Sequence, residues 1–307
     1  MIIVTVLGVI GILLIMNLQL SSDTLYAQKY LARLQNREAG YYISLSAFRG
    51  AVKFLEFEQT NINDYDSLQD TWAQALPSLE VDEGKITIHI EDEERYFALN
   101  SLVQDNKLAD EKHVEQFRRL LQIVNRQQSL SDAAVDWIDP DSNPTAPEGS
   151  ELQGDTSEPC KNGFFDSVDE LLLVKGFSDD VMRGEVKSGE YMPGLKDVLC
   201  PTHGGKVNIN TAGVTVLQSL DKYMTREMAD EIISRRTDKP FEKIEGLSEM
   251  PGFNTDTAFR IKSLADVKSS FFRVIIEVER AGDRTILTGL VNRMSDGGSK
   301  ILYWKVE

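Results

Sequence analysis

The sequence predicts an α+β protein in which one long N-terminal helix and an antiparallel sheet carry a large inserted helical domain. Two observations lead there. Residues Met1 to Met16 contain no charge, and the helical pattern they begin continues into the polar chain. Strand texture then occurs on both sides of a long helical block, so the economical topology is one domain interrupted by another. The expected divisions are a transmembrane helix at 1–20, a first part with helix and strands at 21–100, an all-α insertion at 101–266, and three strands at 267–307.

The helix comes first. A membrane span needs about 20 apolar residues, and Ile2 to Leu20 just meets this. A cleavable signal peptide is the alternative. Against it, no basic region precedes the run and no small-x-small cleavage site follows. The helical spacing also runs on through Leu25, Ala27, Leu31, Leu34, Ala39, Ile43, Ala47 and Val52. The missing basic start suggests a short leader that is removed or lies outside this sequence. From Ser21 to about Glu58 the chain reads as one helix, with Gly40 and Gly50 its only glycines and no proline.

Strands follow. Pro77 and Gly84 punctuate the chain, and Lys85 to Ile90 alternates with Ile86, Ile88 and Ile90 on one face. Arg95 to Leu99 reads as its partner strand, joined through an acidic turn from Glu91 to Glu94. Near the other end, Phe271 to Glu279, Arg284 to Arg293 and Ile301 to Val306 are three strands. Their separators, Ala281-Gly282-Asp283 and Asp296-Gly297-Gly298, have hairpin chemistry.

Between them the texture is helical. His113 to Asn125 has Val114, Phe117, Leu120, Leu121 and Val124 at helical spacing. Ser131 to Ile138 is a second helix with Ser131 as its cap, and Phe165 to Leu173 a third with Ser167 as its cap. Residues Val207 to Ala212 (VNINTA) open a further helix capped by Asn210 or Thr211. Thr225 to Arg236 and Thr255 to Leu264 follow, with Leu247, Met250, Pro251, Gly252 and Phe253 as the hairpin between them. This resembles a helix-hairpin-helix (SAM-like) module, a motif that often holds phosphate through backbone N–H groups. Its DNA-binding use is disfavoured here. Asp221-Lys222-Tyr223 has no glycine, and Asn254 stands where a second glycine is common. Arg235, Arg236, Lys239 and Lys243 give local positive charge, but a net charge of -16 repels a phosphate backbone.

The acidic balance points instead to a cation. Residues 132–158 hold eight carboxylates and no Lys or Arg. Asp139-Pro140-Asp141-Ser142-Asn143 has D-x-D-x-N spacing, in which alternate oxygens on a turn converge on a hard cation. Pro144 replaces the turn glycine and Ser150 the closing acid, so an irregular calcium loop is expected, with Asp136, Asp139, Asp141 and Glu151 as ligands. A merely solvated acidic loop is the alternative. Cys160 and Cys200 lie among Pro, Gly and polar residues. They are candidates for a disulfide in an oxidising compartment, with two free thiols as the alternative. His89, His113 and His203 are the only histidines. No nucleophile elbow, P-loop or zinc-ligand pair accompanies them, so no enzyme activity is expected.

Three segments, in order, carry a family resemblance: Phe97-Ala98-Leu99-Asn100-Ser101-Leu102, Asp136-Trp137-Ile138-Asp139-Pro140-Asp141, and Val207 to Ala212. With the apolar helix and the inserted helical domain, they make the chain resemble general secretion pathway protein K, the large minor pseudopilin of type II secretion, which has a pilin-like fold. The resemblance implies processing by a prepilin peptidase and methylation of the new N-terminus. It implies an inner-membrane anchor with the bulk in the periplasm, and calcium in loops of the inserted domain. The implied partners are the I-type and J-type minor pseudopilins, with which it forms a tip complex, and the other pseudopilins of the filament. Pilin-type subunits place Glu at the fifth mature position, to neutralise a neighbour's ammonium in the apolar filament core. Thr5 stands there if Met1 is the mature start, as suits a subunit with nothing above it. Thr5, Leu7 and Leu14 are expected on the assembly surface, the apolar helix from about Ile2 to Ala51. The second reading is a membrane-anchored helix-hairpin-helix protein that binds incoming DNA, which salt-dependent DNA retention would distinguish.

Overall fold

The computed structural model describes residues 2–61, 64–74, 78–81, 84–105, 107–187, 189–202, 205–253 and 255–307. The expectations placed on Met1, Pro77, His203 and Asn254 lie outside the described residues. Helix α1 runs from Ile2 to Asn61. Its first half touches nothing else in the chain, and its second half lies on a sheet. Two strands follow, β1 (Leu79–Val81) and β2 (Gly84–Asp92). Ile86 and Ile90 are buried and Ile88 is half-buried, as the alternation predicts.

Next come β3 (Phe97–Ala98), α2 (Glu111–Ile123), α3 (Leu130–Ile138), a short α4 (Asp179–Met182), β4 (Glu185–Lys187), β5 (Glu190–Met192) and β6 (Leu199–Cys200). Then follow β7 (Val207–Asn208), α5 (Val214–Ser219), α6 (Arg226–Asp238), α7 (Thr255–Ile261) and β8 (Ala265–Asp266). The chain ends in β9 (Phe271–Arg280), β10 (Asp283–Arg293) and β11 (Ser299–Val306). The main sheet has the order β1-β2-β9-β10-β11 and is antiparallel throughout. Everything from Glu93 to Ser270 is therefore inserted between two neighbouring strands.

Two hydrophobic cores result. In the first, Phe48, Ala51, Val52 and Leu55 of α1 pack on Phe272, Val274, Ile276, Val278, Leu287 and Val291. The helix sits close to the sheet because glycines face it. A Cβ on Gly289 would lie 2.5 Å from the Phe48 ring, and one on Gly40 would lie 2.5 Å from Thr285 Oγ1. The second core gathers residues from Phe97 to Val267, with Trp137, Phe117, Leu121 and Leu171 among its most buried side chains. At the β9–β10 turn, Ala281 and Gly282 both have positive φ (49° and 85°), the geometry of a two-residue hairpin loop.

Several expectations are corrected. Residues 95–99 do not pair with β2, which lies between β1 and β9. Asp92 caps a 3-10 turn at Glu93–Arg95, accepting from Glu94 N at 2.8 Å, and this turns the chain out of the sheet. β3 pairs in parallel with β6 instead. The insertion is not all-helical, since β3–β6, β4–β5 and β7–β8 form small two-stranded sheets. Ser129, not Ser131, occupies the N-cap position of α3, because the Ser131 hydroxyl is engaged with Arg118 and Asp132. Ser167 does cap, in a capping box with Glu170, but the helix is 3-10 from Val168 to Leu173. Residues 207–212 do not start a helix. β7 pairs with β8, and α5 begins only after Gly213.

The asparagines of these segments act as substitute strands. Asn100 Oδ1 accepts from Phe165 N at 2.7 Å, while its Nδ2 donates to Phe165 O and Pro201 O. Asn210 does the same to Phe241, at 2.8 and 2.9 Å. Asn208 lies where the two cores meet. Its Nδ2 donates to Asp66 O, Ser269 Oγ and Asp92 Oδ2. Asp92 also accepts from Thr211 Oγ1 at 2.5 Å and Ser269 Oγ at 2.7 Å. Beside it, Asp66 pairs with Arg293, and Glu93 pairs with Arg273 at 2.6 Å.

A glycine at the helix–sheet contact and one away from it make opposite predictions. Gly289→Ala should cost about 1–3 kcal/mol by overpacking against Phe48. Gly50, with nothing within 4 Å, should become Ala neutrally or with a gain of about 0.5–1 kcal/mol. Urea denaturation midpoints of the detergent-solubilised chain measure both.

Candidate functional site

Two features outside the cores have functional chemistry. The first is the N-terminal half of α1. It is the one helix among the described residues long and apolar enough to cross a membrane, with a best-window mean hydropathy of 2.4 and none of that window buried in the fold. Its aliphatic side chains, Leu7 and Leu14 among them, are fully presented outward. The Thr5 hydroxyl donates to Ile2 O at 2.8 Å, so this polar group is satisfied within the helix and adds little cost in lipid. The exposed apolar surface extends beyond any bilayer-spanning length, through Leu25, Tyr26, Tyr30, Leu31 and Leu34. An apolar face of this extent is the kind of surface that other helices or lipid cover.

The second feature is the acidic loop after α3. The helix delivers Asp136 from its last turn, Asp139 follows as its C-cap, and the loop returns Glu151 to them. One ligand oxygen from each of these three lies within 4.8 Å of the others. A point shared by three oxygens at that spacing lies no more than about 2.8 Å from each, so a small inward movement brings all three to a calcium–oxygen bond of ~2.4 Å. Thr145 N donates to Asp136 Oδ1 at 2.9 Å and fixes that carboxylate. Gly149 allows the loop to fold against it, since a Cβ there would collide with Asp136 Oδ2 and the Thr145 backbone.

The trio lacks a cation of its own among the described residues. Arg118 is held by Asp132 and Glu115, and Lys161 by Asp166 and Glu170. Asp139 Oδ1 and Glu151 Oε1 are buried with no hydrogen-bond partner. Burial, then the charges of Asp141 and Asp136, raise Asp139 to about 6. Burial, then Asp136, Asp139 and Asp141, raise Glu151 to about 7. Orphaned, mutually repelling oxygens on a constrained loop fit a hard divalent cation.

Asp141 does not join the three. It is exposed, and its Oδ1 accepts from Asn143 N and Nδ2 at 2.7 and 3.1 Å, so the D-x-D-x-N spacing makes a local turn. The proposed disulfide is also absent. Both thiols are free and buried. Cys160 Sγ lies against Ser150 O in the acidic loop, whereas Cys200 Sγ lies against Glu93 O and Thr202 Oγ1 in β6, so each has its own packing site. Burial and the neighbouring carboxylates push the Cys160 thiol up to about 11, which disfavours the reactive thiolate.

Residue patterns did not reveal the buried acids at the junction. Burial raises Asp92 to about 6 and Glu93 to about 7. An acidic run between a strand and an apolar segment reads as a solvated turn. The only available signal was the unusual abundance of Asn and Thr in residues 207–212, which supply donors to Asp92.

A long apolar helix, a candidate membrane span, continues onto an antiparallel sheet with a large domain inserted between two strands, the architecture of a pilin-type subunit. Two sequence-family models, both described as type II secretion system protein K, match residues 96–184 and 207–267. The type II secretion system protein K of Pseudomonas aeruginosa is 27% identical over 250 residues, covering 77% of this chain and 70% of the relative. That of Aeromonas hydrophila is 27% identical over 293 residues, covering 88% and 86%. A chain in the crystal structure of the GspK-GspI-GspJ complex from enterotoxigenic Escherichia coli superposes with a TM-score of 0.74 at 19% identity, covering 89% of this chain and 97% of that one. The chain is thus similar to type II secretion system protein K along most of its length.

The raised acids set a pH dependence. Asp139 and Glu151 hold protons in the folded state to higher pH than in the unfolded chain, where they titrate near 4. Folding is thus most favoured below about pH 4, and this contribution is lost as pH rises through 6 to 7. In chelator, the melting temperature should fall between pH 5 and pH 8. Asp92 and Glu93 act in the same direction, so Asp139→Asn should reduce the slope without abolishing it. Thermal melts at fixed ionic strength measure this.

Proposed function

We propose that this protein is the terminal minor pseudopilin of a type II secretion pseudopilus. It assembles with I-type and J-type partners, and the filament it begins or caps supports export of folded proteins across the outer membrane. The observation that carries this reading is the position of the insertion. Residues 93–270 leave the sheet between β2 and β9 and build a second core beyond it. Such bulk obstructs a neighbour stacked on that side, so the subunit fits an end and not the shaft. The name of the solved complex supports the choice of partners, since it joins a K-type subunit to I and J subunits.

The remaining parts have matching roles. The apolar half of α1 anchors the chain in the inner membrane, with the acidic bulk in the periplasm, and then packs among partner helices. A prepilin peptidase processes the precursor, and the new N-terminus is methylated. Asp136, Asp139 and Glu151 hold calcium, with Asp141 close enough to contribute charge. Calcium folds a loop whose carboxylates otherwise repel one another; it does not serve a reaction. The segment from α6 to α7 is a helix-hairpin-helix used for packing. Gly252 turns the chain at φ 85°, and Leu247, Met250 and Phe253 are buried beneath it. The protein acts by assembly, without catalysis.

Two measurements test this. Co-expression of the full chain with I-type and J-type subunits should yield a ternary complex on size exclusion. Separate elution of all three would contradict the assignment. Saturating calcium should raise the melting temperature by an amount equivalent to about 2.7 kcal/mol at a hundredfold excess over Kd. The gain should be larger at pH 8 than at pH 5, where protons compete, and should vanish in Asp136→Asn. An unchanged melting temperature at pH 8 would remove calcium from the account.

A further inference from the structure

A groove of about 700 Å³ opens on the inserted domain, between α2, the turn after α5 and the end of α7. Its composition is opposite to that of the protein. The lining carries six basic and three acidic side chains, on a chain whose net charge is -16. Two of the acids are matched, Asp221 by Arg260 at 2.6 Å and Glu115 by Arg118 at 2.7 Å; of the bases, Arg260 is thereby used, Lys206 lies 3.6 Å from Asp266, and Lys262 pairs with Glu245. Among the described residues, neither Lys112 nor Lys222 pairs with a carboxylate. Both are exposed.

The apolar part of the groove is equally unmatched. Phe259, on α7, is 78% exposed, and Leu220 and Leu264 lie beneath it in the lining. At the rim Tyr223 is 60% exposed. Lys222 Nζ lies 4.8 Å and the Arg260 guanidinium 5.4 Å from its ring centroid, both within cation–π range. Phenylalanine is among the residue types enriched at the cores of protein interfaces.

We infer that this groove receives a short acidic segment of a partner protein, with an aromatic or aliphatic side chain seated on Phe259 and flanking carboxylates on Lys112 and Lys222. Charge complementarity selects this occupant. A short segment samples only the field within a Debye length of about 8 Å, which the groove lysines dominate. A long polyanion also meets the acidic remainder of the surface, and Glu111 stands in the groove wall against it. The inference concerns the inserted domain alone and does not depend on the tip assignment.

The test uses the full chain in detergent at physiological salt. The probe is a panel of fluorescein-labelled octapeptides of Asp and Glu carrying one Phe, Trp or Leu at each position in turn. Saturable anisotropy changes are expected for peptides with a central anchor. Lys112→Glu with Lys222→Glu should weaken binding by about tenfold or more, and Phe259→Ser by about tenfold. Lys222→Ala, which adds no charge, is the milder variant and should weaken binding about threefold. All these positions are exposed, so the melting temperature should stay at the wild-type value. Absence of saturable binding across the panel would overturn the proposal. So would binding that is equal in all variants, or equal for peptides with Lys at every acidic position. Tighter binding of a single-stranded DNA 20-mer, lost in the same variants, would overturn it in favour of a phosphate-binding groove.

Discussion

The structure depends on how one buried carboxylate is satisfied. Asp92 ends β2, and there the chain leaves the sheet. Its oxygens accept from the backbone of Glu94 at the start of the insertion, from Asn208 and Thr211 inside it, and from Ser269 where the chain returns. A single residue thereby ties the exit, the interior and the re-entry of the inserted segment. The bonds are strong because the site is dry, and for the same reason a missing partner would be expensive. The neighbouring Asp66–Arg293 and Glu93–Arg273 pairs add no net charge to the junction. The inserted core is therefore held against the sheet by directional bonds, in addition to apolar packing, which could tolerate sliding.

That fixed placement gives the insertion its functional meaning. A flexibly tethered domain could swing aside and let another subunit stack. A domain clamped beside the sheet excludes one permanently. The same logic extends to the helix, whose close approach at Gly40 and Gly289 sets the direction in which the bare apolar half projects. One end of the molecule presents a bare apolar helix long enough to cross a membrane. The opposite mass carries the acidic loop and the basic groove, two chemically opposite surfaces on one inserted core.

Sequence patterns revealed the elements better than their connections. Long regular signals were legible: the sixty-residue helix, the isoleucine alternation of β2, and the three final strands with their glycine turns. These depend on local periodicity, which neighbours seldom override. The short elements were not legible. Phe97–Ala98 and Val207–Asn208 are two-residue strands whose partners lie far along the chain, so no window contains the information. Asn210 reads as a helix cap because capping and strand substitution use the same amide chemistry. In the acidic loop, composition identified the region and three of its four candidate ligands converge. Asp141 lies outside the converging trio, because D-x-D-x-N spacing serves a local turn equally well. The cysteine pairing rested on composition alone, and composition has no distance in it.

The central claim is that the clamped insertion confines this subunit to the end of a fibre. Gold labelling of a tag on the C-terminal Glu307, counted on sheared pseudopili by electron microscopy, tests it most directly. The account predicts one label per filament, at a terminus, whatever the filament length. Labels spaced along the shaft, or a number that grows with length, would contradict it.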